Sequence, residues 1–166
     1  IKDVGGLFLS VSKIQSKSLK KRMELKESEY IELKKSTSEL KEAIKSIVAI
    51  LNKHQKGELF FGVKNNGEVV GQSISSETLR DISKTISAHI EPKIYPKITE
   101  IKIKTKNCIK IEFSGEDIPY FAYGRAYIRM ADEDKKLSIK ELERLFSRKN
   151  KIYWGKQYSD VKICLL

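Results

Sequence analysis

Residues 27–34 read Glu-Ser-Glu-Tyr-Ile-Glu-Leu-Lys, and about thirty residues later the chain runs Gly57-Glu-Leu-Phe-Phe-Gly-Val-Lys-Asn-Asn-Gly-Glu-Val-Val-Gly71. This pairing limits the fold more than any other feature. It joins an acidic strand entrance, a helix long enough to cross a sheet, and a hairpin that packs beneath it. Tyr30 to Lys34 alternates as a short strand. Ser36-Thr-Ser-Glu39 has the form of a capping box, so a helix is expected to start there. Leu40, Ile44, Ile47, Val48 and Leu51 recur at helical spacing, and Gly57 reads as the stop. Leu59 to Val63 is a β-rich apolar run. Asn66-Gly67 is a type I′ turn signal, and Val69-Val70 returns.

Further along, Ser75 or Ser76 caps a second helix with Leu79, Ile82, Ile86 and Ile90 on one face. Pro92 and Pro96 bracket an irregular crossing. Thr99 to Lys106 alternates, with Ile101 and Ile103 inward and Lys102, Lys104 and Lys106 outward. Asn107 is read as the turn, and Ile109 to Phe113 alternates back, an antiparallel pair with one wet face. Tyr120 to Tyr123, Gly124-Arg125 and Ala126 to Met130 read as another hairpin. Ser138-Ile-Lys-Glu141 is a second capping box, opening a helix with Leu142, Leu145 and Phe146 inward. The order βαββαββββα predicts an α+β domain: a mixed, largely antiparallel sheet with about three helices on one face.

A length of 166 residues fits one such domain. Residues 1–22 are read as a basic N-terminal arm or a non-native leader, because Met23 stands just before the patterned sequence. Residues 23–150 form the domain. Residues 151–166, with Tyr153-Trp154 and the apolar Val161–Leu166, are read as a tail leading to a further region. No run approaches the ~18 apolar residues of a membrane helix. Cys108 and Cys164 lie far apart and are read as two reduced thiols of a cytoplasmic protein.

The net charge is +11. Six basic residues against Asp3 in 1–22, and eight against Glu141 and Glu143 in 135–156, account for the whole excess. Such an excess favours polyanions, chiefly nucleic acid, although solvated lysines also serve solubility. There is no phosphate-cradling Gly-x-x-x-x-Gly-Lys loop and no nucleophile elbow. His54 and His89 lack the partners of a zinc site. No cofactor is implied.

Two groups of residues carry chemistry. Glu27, Glu29 and Glu32 cluster near one strand. They can hold a divalent cation for phosphoryl chemistry, or they form an acidic rim paired with Lys34 and Lys35. Arg125 and Arg129 with Tyr120, Tyr123 and Tyr127 make a basic-aromatic hairpin. It can grip phosphates and stack on bases, or its tyrosines pack and its arginines meet Asp132 to Asp134.

The ordered set of pieces resembles the AlbA-like domain of the Schlafen family, found in many prokaryotic regulators. The matching pieces are Glu27-Ser28, Ile31-Glu32-Leu-Lys34, Ala49-Ile-Leu-Asn52, Gly57-Glu-Leu-Phe-Phe-Gly62-Val63, Asn66-Gly67 and Val69-Val70-Gly71. Ile90-Glu-Pro92, Pro119-Tyr120 and Tyr127-Ile128-Arg129 follow, before Ser138 and Glu141. The resemblance spans roughly residues 24–148 and implies a nucleic-acid-binding domain. Eukaryotic Schlafen nucleases resemble it too and cleave RNA with three carboxylates. Two of them map onto Glu27 and Glu32; the third position is Lys64 or Asn65 here, and a cation in place of an acid opposes metal binding.

The expected function is therefore nucleic-acid binding, of the DNA-binding kind, in a transcription-regulator-like protein, without a bound metal. The contacts expected are Lys34, Lys35, Lys53, Lys64, Tyr123, Arg125, Tyr127 and Arg129. The alternatives are a metal-dependent ribonuclease using Glu27 and Glu32, and a protein-interaction module. Schlafen nucleases pair two lobes in one chain, so a comparable groove implies a homodimer, with Val161–Leu166 as a candidate contact.

Overall fold

The acidic segment enters strand β1 (Ile31–Lys34) in a computed structural model that describes residues 25–147. Ser36 then caps a 3-10 turn (Thr37–Glu39), its hydroxyl accepting from the Ser38 N–H. Helix α1 (Leu40–His54) follows directly. The helix expected from Ser36 thus begins as a tighter turn, a common way to wind a helix start. It stops at His54 because Gln55 adopts a left-handed φ of 64° and returns its N–H to Leu51 O. Gly57 is not the terminator. It lies in β2 (Lys56–Phe61), where an added Cβ would sit 2.6 Å from Ile50 Cγ2 and 2.9 Å from Tyr30 O. Glycine is needed there for close approach, not for a turn.

After β2, Val63 and Val69 form a single antiparallel bridge. Of Asn66 and Gly67 only Gly67 has positive φ, 83°. The Gly67 N–H donates to Lys64 O at 2.8 Å and the Lys64 N–H to Glu68 O at 2.9 Å. This is a three-residue loop with a glycine bulge, not the two-residue I′ turn expected. Helix α2 (Ser76–His89) is capped by Ser75, with Thr78 completing the box. Strand β3 (Ile90–Glu91) precedes β4 (Lys97–Ile103) and β5 (Lys106–Ser114). The β4–β5 turn is Lys104-Thr105, with Lys104 at φ 58°, and Asn107 is already paired opposite Lys102.

The second expected hairpin is rearranged. Strand β6 (Phe121–Ala122) pairs with β3. Ala122 and Arg125 exchange both backbone hydrogen bonds, at 2.8 and 3.0 Å, across Tyr123 and Gly124, whose φ angles are 52° and 70°. Both positive values mark a type I′ turn. Strand β7 (Tyr127–Met130) pairs instead with β8 (Glu133–Lys136). The four residues of β8 are all charged, so no apolar alternation announces it. Helix α3 opens at residue 139 and is described through 147. Glu141 Oε2 accepts from the Ser138 N–H at 2.8 Å and its hydroxyl at 2.7 Å. Those bonds, the backbone one first, hold the Glu141 carboxyl down to about 2.

Strand order in the main sheet is β1-β2-β5-β4, parallel between β1 and β2 and antiparallel elsewhere. The α+β reading of the sequence, with three helices and a mixed, largely antiparallel sheet, holds. Ile44, Ile47, Val48 and Leu51 of α1 and Ile82 and Ile86 of α2 pack on Leu59, Phe61, Ile109 and Ile111. Each such burial contributes roughly 1.5–3 kcal/mol. Leu33, Phe60, Val63, Val69 and Cys108 form a second cluster on the other face, joined by Ile101 and Ile103. The face expected to be wet is therefore divided. One part lies under the Gly62–Gly71 loop, and another is charged, with Lys110 bridging Glu58 and Glu112 at 2.8 and 3.1 Å. The leader, the tail and Cys164 lie outside the described residues.

Candidate nucleic-acid interface

Side chains alternate along β1, and the register sets Glu32 opposite Leu59 and Lys34 opposite Phe61. Both therefore lie on the face that α1 covers. Glu32 is 3% exposed there and Arg129 of β7 is 1% exposed. Arg129 Nη2 lies 2.7 Å from Glu32 Oε2 and donates to Ser28 O at 3.2 Å. Its Nη1 donates to Asp134 Oδ1 at 2.8 Å. Asp134 Oδ2 in turn accepts from the Ser46 hydroxyl at 2.5 Å. The Lys34 ammonium engages the other oxygen of Glu32.

Glu27 reaches the same region. Burial pushes its carboxyl above the ordinary range, and the charge of Glu32 adds to this, opposed by Lys34 and Arg129. The two acids named by the resemblance do converge, but an ammonium and a guanidinium hold both oxygens of Glu32. A divalent ion would have to displace a buried cation, at a penalty of several kcal/mol. Lys64 pairs with Glu68 at 2.8 Å, on a loop tied to the end of β1 by the Gly62 and Val63 N–H groups donating to Lys34 O. Among the described residues no three His, Cys, Asp or Glu side chains converge to hold a metal.

The raised Glu27 has a measurable consequence. The folded state holds this proton more tightly than the unfolded chain, so stability falls as pH rises from the unfolded value toward the raised one. Above that window the ionised carboxylate is a net cost. Glu27→Gln is expected to raise the urea midpoint modestly at pH 7, with the gain vanishing below the ordinary value of 4.5. An equal gain at every pH would contradict this account.

The other expected contacts separate. Lys35 is exposed at the end of β1. Lys53 holds Glu29 at 2.5 Å and keeps that carboxyl below its usual range, and His54 Nε2 lies 3.2 Å from its other oxygen. Arg125 is exposed on the Tyr123-Gly124 turn. Tyr123 and Tyr127 are half-buried, packed at the rim of the helix-side core. The Tyr123 ring stacks on His89 at 4.5 Å and 30°, with the Lys41 ammonium 5.8 Å over it. Lys45 lies near both tyrosines and is held by Glu42 at 2.8 Å.

Tyr123 and Tyr127 thus share one surface with Lys41, Lys45 and His89, which the sequence reading missed, while Arg125 is exposed just beyond the turn that holds Tyr123. The i,i+4 spacing of Lys41 and Lys45 was a usable signal; their nearness to a turn far along the chain was not. Arg129 and Lys34 are not on this surface. The phosphate contact expected of Arg129 does not fit its position, because its guanidinium is enclosed by Glu32, Asp134 and Ser28 O.

The sequence matches the family described as Schlafen, AlbA_2 over residues 27–138, and the chain belongs to this family. It thereby carries a nucleic-acid-related domain. Among solved structures it is similar in fold to the DIP2311 protein from Corynebacterium diphtheriae, at 11% identity and TM-score 0.58, covering 70% of this chain. The match covers 23% of that protein's chain. The N-terminal domain of a RecG-related protein from Nitrosomonas europaea matches at 19% identity and TM-score 0.48, over 69% of this chain and 87% of that one. No curated protein matches. Among the described residues no helix is long and apolar enough to cross a membrane.

Proposed function

We propose that this domain binds nucleic acid through the phosphate backbone, as the DNA-binding module of a transcription-regulator-like protein, and does not cleave it. One observation carries the reading: the Lys41 and Lys45 ammonium groups lie against the Tyr123–His89 ring pair, and the exposed Arg125 follows the same Tyr123-Gly124 turn. The net charge of +11 supports it, since cations on a polyanion release condensed counterions. Lys35, Lys53 and Lys64 lie apart from that surface, and Lys53 and Lys64 would have to exchange Glu29 and Glu68 for phosphate.

A salt titration of binding to DNA and RNA tests this. Three to four neutralised phosphates give a log–log slope of about 3 on duplex DNA. Lys41→Glu combined with Arg125→Glu is expected to lower both affinity and slope. Affinity that ignores salt for every nucleic acid would sink the reading and favour a protein-interaction module.

The convergence of Glu27 on Glu32 supports a second reading, metal-dependent RNA cleavage. The pairing of Glu32 with Lys34 and Arg129 weighs against it. Incubation of RNA with Mn²⁺ is expected to give no cleavage above background; cleavage lost in Glu27→Gln would establish the nuclease. A two-lobed groove needs a homodimer, which light scattering measures directly. The contact expected at Val161–Leu166 lies outside the described residues.

A further inference from the structure

We infer that His89, backed by Tyr123, is a stacking platform for an unpaired base, so that the domain prefers single-stranded to duplex nucleic acid. This rests on the nucleic-acid reading and adds to it the form of the ligand.

The platform follows from strand register. Ile90 faces Ala122 and Glu91 faces Phe121 in the two-residue β3–β6 ladder. Extending that antiparallel register by one residue sets His89 opposite Tyr123, and the Tyr123 N–H donates to His89 O at 3.1 Å. Directly opposed residues project to the same side of a ladder, which brings the rings to 4.5 Å.

The pair is held in place before any ligand arrives. Tyr123 occupies a left-handed position, φ 52°, where Gly, Asn or Asp is the usual choice. Its backbone is fixed by the reciprocal Ala122–Arg125 bonds, and its ring rests on the rim of the core. His89, the last residue of α2, is exposed. Among the described residues no ring other than Tyr123 stacks on it. One face of the imidazole is thus supported by an aromatic ring and the side chain is open to solvent.

A base stacks on such a face whatever its identity, because every base has a π-face. Bases inside a duplex are already stacked on their neighbours and cannot use it. Lys41 and Lys45 stand beside the Tyr123 ring to hold flanking phosphates, and Arg125 follows the same turn. Glu42 also faces this surface, but Lys45 engages its carboxylate.

The test measures binding of the whole 166-residue chain to an oligonucleotide carrying a fluorescent 2-aminopurine, and to the same sequence annealed as a duplex. His89→Ala is expected to weaken single-strand binding by roughly fivefold or more, to reduce the fluorescence change, and to leave duplex affinity within about twofold. His89→Trp is expected to restore stacking. Unchanged single-strand affinity in His89→Ala, or equal losses on both forms, would overturn the inference. If His89→Ala is silent while Lys41→Glu with Arg125→Glu loses affinity, the platform fails and the backbone-binding reading stands. If the unaltered chain binds neither form, both fail together.

Discussion

Arg129→Ala is expected to destabilise the domain by about 3–5 kcal/mol, the range for removing one partner of a buried ion pair. The loss has three sources. Glu32, 3% exposed, would be left with Lys34 as its cationic partner among the described residues. Among the described residues Asp134 would retain the Ser46 hydroxyl as its side-chain partner. Ser28 O would lose its guanidinium donor. Because Arg129 joins β7 to the entry of β1, the loss is expected as a lower urea midpoint for the whole domain. The double replacement Arg129→Met with Glu32→Leu is expected to recover only the part of the loss that comes from Glu32, since Asp134 and Ser28 O still lack the guanidinium and Lys34 loses its carboxylate. A loss below about 1 kcal/mol in Arg129→Ala would mean the network is not a structural tie.

Asn52→Ala is the second large effect, expected at about 3 kcal/mol. Asn52 Nδ2 donates to Tyr120 O at 2.9 Å and to Tyr127 O at 2.8 Å, and its Oδ1 accepts from the Tyr120 N–H at 2.6 Å. One buried amide thus supplies three backbone groups at the start of β6 and of β7. An orphaned buried polar group costs roughly 1–3 kcal/mol, partly relieved if water enters the space left behind. Asn52→Asp keeps the acceptor but sets a carboxylate against two carbonyl oxygens, and is expected to be at least as damaging. Chemical denaturation of the two variants checks this; a shift of under about 1 kcal/mol in both would show that these carbonyls find other donors. The same tie positions Tyr127 and, through Tyr120, the strand leading to Tyr123, so loss of single-strand binding is expected alongside loss of stability.

These residues also mark where sequence reasoning reached and where it stopped. The stripe Ile44, Ile47, Val48 and Leu51 is local and periodic, and it became the buried face of α1. The Ser138–Glu141 box was equally local, and Ser75 capped α2 as expected, although its box partner is Thr78. Asn52 entered the sequence reading only as part of a resemblance, because hydrogen bonds to Tyr120 and Tyr127 leave no trace in spacing. Of the two readings of Arg129, the one in which the arginines meet Asp132 to Asp134 holds at Asp134, its cross-strand neighbour; its burial by Glu32 and Ser28 depends on tertiary structure and left no local pattern. Strand β8 escaped because four charged residues carry no hydrophobic period. The His89–Tyr123 pair arises from a two-residue ladder too short to leave a pattern. Gly57 and Asn107 were misread for one reason: turn-forming residues were taken as turns, whereas close packing placed the glycine and strand pairing absorbed the asparagine.

Among the described residues strand β4 ends the sheet, so one of its sides offers backbone N–H and C=O groups with no neighbouring strand there. Such a border invites a second sheet to add on, and ammonium groups are a common deterrent. Lys97 and Lys102 lie in this strand and Lys104 in the turn that follows. Two copies meeting border to border here would bring Lys102 and Lys104 of each toward the new seam, offset in part by Glu100 of the same strand and by Glu112, which pairs with Lys97. Continuation of the sheet through β4 is thus disfavoured as a route to a dimer, and high salt, which shortens the reach of that repulsion, is the condition under which end-to-end growth becomes easiest.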